Sequence, residues 1–220
     1  MSGHTTTAYL IRHGEYEQSV DGQGRVLTPF SQTGLSETGR NQIAGFASAI
    51  RKRGDALEAI YTSPYQRTRE SAAILQSQFG TARLVIDDGL CDVYTPGWWG
   101  VPMAELKAIG GDVYNVSPRT LDQESYDGAS ERIWAAFRSI VHREKGHTVG
   151  LVFHGDPIRV LLYRLEHPAG VVPAMRVLSQ SDYLDKGEAW RLELGYDLTV
   201  HEKILVGRSQ EDFRRGERKY

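Results

Sequence analysis

Short continuous apolar runs alternate along this chain with stretches of helical periodicity, the pattern of strands buried on both faces of a sheet between covering helices. Residues 8–11 predict the first strand. Beyond a glycine-bearing loop, Ser36 is set as an N-cap. Ile43, Phe46, Ala47 and Ile50 then recur at the i, i+3, i+4, i+7 spacing that lays one stripe of a helix on a core. That helix is expected to end in the basic run at residues 51–53, with Gly54 as its stop. Residues 59–62 predict a second strand running into Ser63-Pro64, which reads as an N-cap and a first-turn proline, and hence a helix over 65–78. A third strand is expected at 83–86. Ile133, Phe137, Ile140 and Val141 mark a helix begun near Ser130 and stopped near Gly146. The run at 148–153 reads as a central strand, and Asp156-Pro157 repeats the cap-and-proline signal before a helix over 158–165. Two last strands, 188–194 and 198–206, flank a turn at Gly195-Tyr196-Asp197.

The expected fold is α/β, a three-layer sandwich with a mostly parallel central sheet flanked by helices and a C-terminal β-hairpin, in one domain over 1–220. Residues 15–33 and 94–128 show no clear period. Loops of that length in a compact domain are commonly functional covers, so both are expected over the active site. Residues 208–220 form a charge-dense tail.

At 220 residues and 40% hydrophobic, the chain has room for a sizeable core. A formal net charge of -2 provides no basic field for nucleic acid or anionic lipid, so neither is expected as a partner. A lone cysteine, Cys91, fits a reducing compartment, and no apolar run approaches the ~20 residues of a membrane helix, so the expected location is cytoplasmic. His4, His142, His147, His167 and His201 show no metal-ligand spacing with one another or with Cys91; no metal or cofactor is expected. Periodicity carries no information on oligomeric state.

Three strand ends carry candidate chemistry. Arg12-His13-Gly14-Glu15 directly follows the first strand, where a parallel sheet opens its ligand crevice. Neutral imidazole is both a good nitrogen nucleophile near neutral pH and a good leaving group once phosphorylated, and arginine grips phosphoryl oxygens in a fork. Read alone, the tetrapeptide is equally a surface Arg-His pair. The segment Ser63-Pro64-Tyr65-Gln66-Arg67-Thr68-Arg69-Glu70-Ser71-Ala72 follows the second strand and opens a helix. Arg67 in the first turn opposes the helix dipole and is better explained by an anion, whereas Arg69, about 200° round the helix, is expected in solvent. At the end of the 148–153 run, His154 and Gly155 precede another helix N-terminus and make a further anion site.

Together with the helix start Leu35-Ser36-Glu37-Thr38-Gly39-Arg40, these elements occur in the order found in the histidine phosphatase superfamily, the phosphoglycerate mutase-like enzymes, which the chain resembles over residues 8 to about 165. The resemblance implies a metal-independent phosphoryl transfer. His13 attacks phosphorus and becomes phosphohistidine, Arg12, Arg67 and His154 hold the equatorial oxygens, and water then releases phosphate. It also sets Ser19 where the mutases have an asparagine, as an added hydrogen bond to phosphate. The family's leaving-group acid follows the third strand in a Leu-x-Glu setting; the matching stretch here is Leu90-Cys91-Asp92, which points to Asp92, one methylene shorter than glutamate. Asp156 competes for that role, although helix capping accounts for its position.

The cofactor-dependent mutases resembled here carry several basic residues in the insertion after the acid, whereas residues 94–128 contain only Lys107 and Arg119. A phosphomonoester hydrolase is therefore preferred over a phosphoglycerate mutase-type phosphotransferase, with a catalytically silent phospho-ligand binding module as the reading from another class. The substrate is expected to be a small phosphorylated metabolite, with a phosphoprotein as the other candidate. Trp98-Trp99 is expected either to wall the pocket or to pack the loop.

Overall fold

A computed structural model describes residues 5–18, 20–22, 25, 32–98, 100–110, 113–114, 120–168 and 170–207, excepting the side chains of Met103 and Arg176. Its elements run β1 (Thr6–Arg12), α1 (Glu37–Lys52), β2 (Ala59–Thr62), α2 (Gln66–Gln78), β3 (Arg83–Ile86), α3 (Met103–Ala108), α4 (Tyr126–Arg143), β4 (Thr148–Phe153), α5 (Gly155–Glu166), α6 (Met175–Leu178), β5 (Ala189–Leu194) and β6 (Val200–Val206). The six strands form one sheet in the order β3-β2-β4-β1-β5-β6. The four on the β3 side pair in parallel, while β5 is antiparallel to β1 and β6 antiparallel to β5. The expected α/β sandwich and terminal hairpin are both present.

Alternation along the strands divides the core. Ala8, Leu10, Leu151 and Phe153 pack on one face with Ile133, Phe137 and Leu161 of α4 and α5. Tyr9, Ile11, Ile60 and Val152 face the opposite layer, against Ile43, Phe46, Ile50 and Leu75 of α1 and α2. At ~0.8 kcal/mol per buried methylene, these two faces supply the main drive to fold.

Several starts differ from expectation. α4 opens about one turn before Ser130, because Ser125 caps it by accepting from the Gly128 N–H. α2 opens at Gln66 rather than after Ser63, and His154 rather than Asp156 holds the N-cap position of α5. β6 opens at Val200 because Leu198 adopts a left-handed φ of 68° in the hairpin turn. The short helices α3 and α6 carry too few residues for a readable period. Ser19, Trp99, Arg119 and residues 208–220 lie outside the described residues.

Strand register sets the site. Arg12 pairs with Phe153 and Thr62 with Val152, so the residues just beyond them, His13, His154 and Ser63, emerge at one level at the carboxyl edge. Gly14 and Gly39 then meet: a Cβ on Gly14 would lie 2.4 Å from the Gly39 carbonyl oxygen, and one on Gly39 only 1.9 Å from that of Glu15. Two glycines are required for α1 to press its first turn onto the His13 loop.

Candidate active site

His13 is 3% exposed at the floor of the site. Its Nδ1 lies 2.8 Å from the Gly14 carbonyl oxygen, which can only accept, so Nδ1 carries the proton. The Arg67 Nε–H donates to His13 Nε2 at 3.0 Å, so that nitrogen presents its lone pair to the pocket. Both ring contacts specify the same tautomer. Burial, Arg67 and Arg12 push the His13 pKa well below the usual histidine value, so the ring is neutral at physiological pH.

His154 is constrained in the same way. The Arg67 Nη2–H donates to its Nδ1 at 3.1 Å, leaving Nε2–H to donate to Ser63 Oγ at 2.9 Å. Desolvation, then Arg67 and His13, push its pKa well below the usual histidine value. Ser63 thus serves as an acceptor for His154 rather than as a helix cap. Tyr65 and His154, the N-cap residues of α2 and α5, make no side-chain capping bond, whereas Ser36 and Ser125 cap α1 and α4. The starts of α2 and α5 both open at the site, where their partial positive charge favours an anion.

Arg67 is buried and Arg69 exposed, as the helical geometry requires. The Arg67 guanidinium lies against the rings of Tyr16 and Tyr65, 5.1 Å from each centroid, which fixes its plane. Arg12 donates to the Leu184 carbonyl at 2.6 Å and covers the Tyr183 ring, leaving its buried Nε without a partner among the described residues. Gly155 makes this packing possible, because a Cβ there would meet the Tyr183 hydroxyl at 2.6 Å and Arg12 Cζ at 3.0 Å.

Asp92 follows a short 3-10 turn at Asp88–Leu90. Its Oδ2 lies 3.4 Å from Arg67 Nη2 and 3.5 Å from His154 Nδ1. Desolvation, reinforced by Asp156 and opposed by Arg67, pushes its pKa up to about 6. The shortness of the aspartate is met by the backbone: Arg132 of α4, held by Glu124, donates to the carbonyls of Gly89, Cys91 and Asp92 and fixes that segment. Asp156 lies in the first turn of α5 and is not its N-cap, contrary to expectation. Its carboxylate accepts from the hydroxyls of Tyr183, at 2.6 Å, and Tyr114, tying the 94–128 segment to the start of α5.

Periodicity gave no sign of Lys186. Gly187, at φ 78°, donates its N–H to the carbonyls of Arg12 and His13, which brings Lys186 beside His13. The Lys186 ammonium stands 4.5 Å from the Tyr16 ring centroid, and desolvation, then Arg12, lowers its pKa. Among the described residues no three His, Cys, Asp or Glu side chains form a metal-binding group, and no helix is long and apolar enough to cross a membrane.

These strand-end residues, assembled on this sheet, define a protein class. The chain belongs to the histidine phosphatase superfamily (branch 1), whose family model matches residues 8–177. It is 29% identical over 173 residues to a bifunctional protein of Mycobacterium tuberculosis, covering 76% of this chain but 46% of that protein, so the chain spans about half the length of the first relatives it matches. Phosphoglycerate mutase-like protein 4 of Arabidopsis thaliana is 25% identical over 86% of this chain and 84% of its own length. The solved structure of Bacillus stearothermophilus YhfR superposes with a TM-score of 0.70 at 25% identity, covering 89% of this chain and 94% of that one.

Proposed function

We propose that this chain is a metal-independent phosphomonoester hydrolase working through phosphohistidine on His13. The observation that carries the reading is the locked His13 tautomer, whose unprotonated Nε2 accepts from Arg67 at the floor of the pocket. Arg67 directs N–H groups at His13 and His154; a phosphoryl group entering between them takes over those hydrogen bonds. His13 Nε2 attacks phosphorus as the ester P–O bond breaks, and protonated Asp92 delivers its proton to the leaving oxygen. Water then attacks the phosphohistidine, Asp92 takes a proton from it, and His13 regains its lone pair as phosphate forms.

Arg12, Arg67 and Lys186 surround the phosphoryl group with positive charge, and Gly155 lets Arg12 approach. The bound dianion raises the pKa of His154 and favours a second donor there. Ser19, outside the described residues, is kept as an added phosphate contact. Small phosphorylated metabolites are the substrates, and the lone thiol suits a reducing cytoplasm.

The test is turnover of an aryl phosphate in EDTA, with acid-quenched 32P labelling of the protein in the first turnover. Turnover and label both vanish in His13→Ala if the reading is right. Turnover that survives His13→Ala refutes it, and strong stimulation by a bisphosphoglycerate would point to a mutase instead.

A further inference from the structure

A cleft leads away from Arg67 and Asp92, walled by Tyr65, Tyr94, Trp98, Leu106, Val113 and Tyr114. Its inner end is set by the reaction. Asp92 must reach the leaving oxygen, so whatever that oxygen carries extends from Asp92 into this cleft. Trp98 is 6% exposed and thus forms a packed wall rather than a loose surface aromatic.

Among the described residues lining the cleft, Arg67 is the one cation, and it also faces His13 and His154 at the phosphoryl position. Arg12 and Lys186 flank the nucleophile and are not on this wall. Lys107, the described basic residue of the 94–128 segment, is exposed and does not line the cleft either. The Tyr114 hydroxyl is committed to Asp156. A leaving group bearing a carboxylate or a second phosphate would therefore meet aromatic faces, which are electronegative, and the Asp92 carboxyl, with no cation among the described lining residues beyond Arg67, which faces the phosphoryl position. An uncharged alkyl or aryl group would instead bury apolar area against the rings.

We infer that the preferred substrates are phosphate monoesters of uncharged apolar or aromatic alcohols, rather than esters carrying a second anionic group. The inference rests on the hydrolase reading and deepens it by naming the leaving group.

The experiment measures kcat/KM for n-alkyl phosphates from methyl to hexyl, and for 3-phosphoglycerate, by phosphate release. The expected gain is about fourfold per methylene until the cleft is filled, the ratio corresponding to burial of one methylene, with hexyl phosphate exceeding 3-phosphoglycerate by at least tenfold. Trp98→Ala should reduce the hexyl-to-methyl ratio. Val113→Lys, which adds a cation to the wall, should raise 3-phosphoglycerate relative to hexyl phosphate. Turnover with a flat chain-length series, or with 3-phosphoglycerate preferred, overturns the inference and leaves the hydrolase standing. Absence of both turnover and phosphoenzyme with every ester removes the hydrolase reading and the inference with it.

Discussion

Replacing Asp92 by asparagine tests the proposed proton donor apart from everything else at the site, because it keeps the shape and deletes the titration. With a pKa of about 6, Asp92 is protonated in about one molecule in ten at pH 7, and this fraction falls tenfold for each further pH unit. Since kcat/KM reports the free enzyme, the wild type should show that alkaline limb with an alkyl phosphate. The ratio of wild type to Asp92→Asn cancels the titration of the substrate's own phosphate. It should stand at about 10²–10³ near pH 5.5 and decline above pH 6, the range of general acid catalysis. With nitrophenyl phosphate, whose leaving group needs no proton, it should be only a few-fold and flat.

Stability moves the opposite way. A carboxyl whose folded pKa is raised from 3.8 to about 6 is ionised in the unfolded chain and protonated in the folded one across that interval. Stability therefore falls as pH rises through it, and the penalty is complete above pH 6. Two pKa units set a ceiling of about 3 kcal/mol; with 31% of the Asp92 side chain open to solvent, about 1–2 kcal/mol is the reasonable yield. Asp92→Asn should then melt about 3–6 °C higher at pH 7.5 and show no gain near pH 4, by calorimetry. A ratio independent of pH, equal loss with both esters, or a lower melting point at pH 7.5 would refute the reasoning.

Lys186→Met keeps the apolar stem and removes the ammonium beside His13; the Ki for inorganic phosphate should rise about tenfold, and an unchanged Ki would remove Lys186 from the phosphoryl site. Ser63→Ala takes the acceptor from His154 Nε2–H, so kcat should fall about tenfold with little change in melting temperature and be restored by Ser63→Thr; full activity in the alanine variant would show that the tether is idle. Tyr61→Phe deprives the buried Glu144 carboxylate of a 2.6 Å hydrogen bond and should cost about 1–2 kcal/mol by urea unfolding at pH 7. Burial raises the Glu144 pKa, but the bonds from Tyr61 and Arg83 outweigh it and hold the value below normal. The deficit should therefore shrink as pH drops below the ordinary carboxylate range; a deficit constant down to pH 3 would contradict that coupling.

Strands and long helices were legible because each writes its burial into a local period. The runs at residues 59–62, 83–86 and 148–153 match β2, β3 and β4 at both ends; β2 and β4 are covered on both faces and nearly continuous in apolar residues, while the edge strand β3 carries its signal in Leu84, Val85 and Ile86. Arg12, His13, Arg67 and His154 were likewise legible, because strand ends and helix starts mark the crevice of a parallel sheet wherever they fall in sequence. Helix starts were read less well: Ser63 and Asp156 look like caps, yet their oxygens serve His154 and two tyrosines from distant segments.

What the sequence determined alone was therefore the layered fold, the order of the strand-end motifs and the presence of His13 and His154 at the ends of neighbouring strands. Tertiary structure decided the His13 tautomer, the hold of Arg132 on the Asp92 backbone, the tyrosine pair on Asp156 and the approach of Lys186 through the Gly187 turn. Apart from the His13–Gly14 bond, those contacts join residues at least 27 positions apart, and no periodic signal accompanies them. Such pairings acquire meaning only once the sheet register has brought their backbones to the same edge.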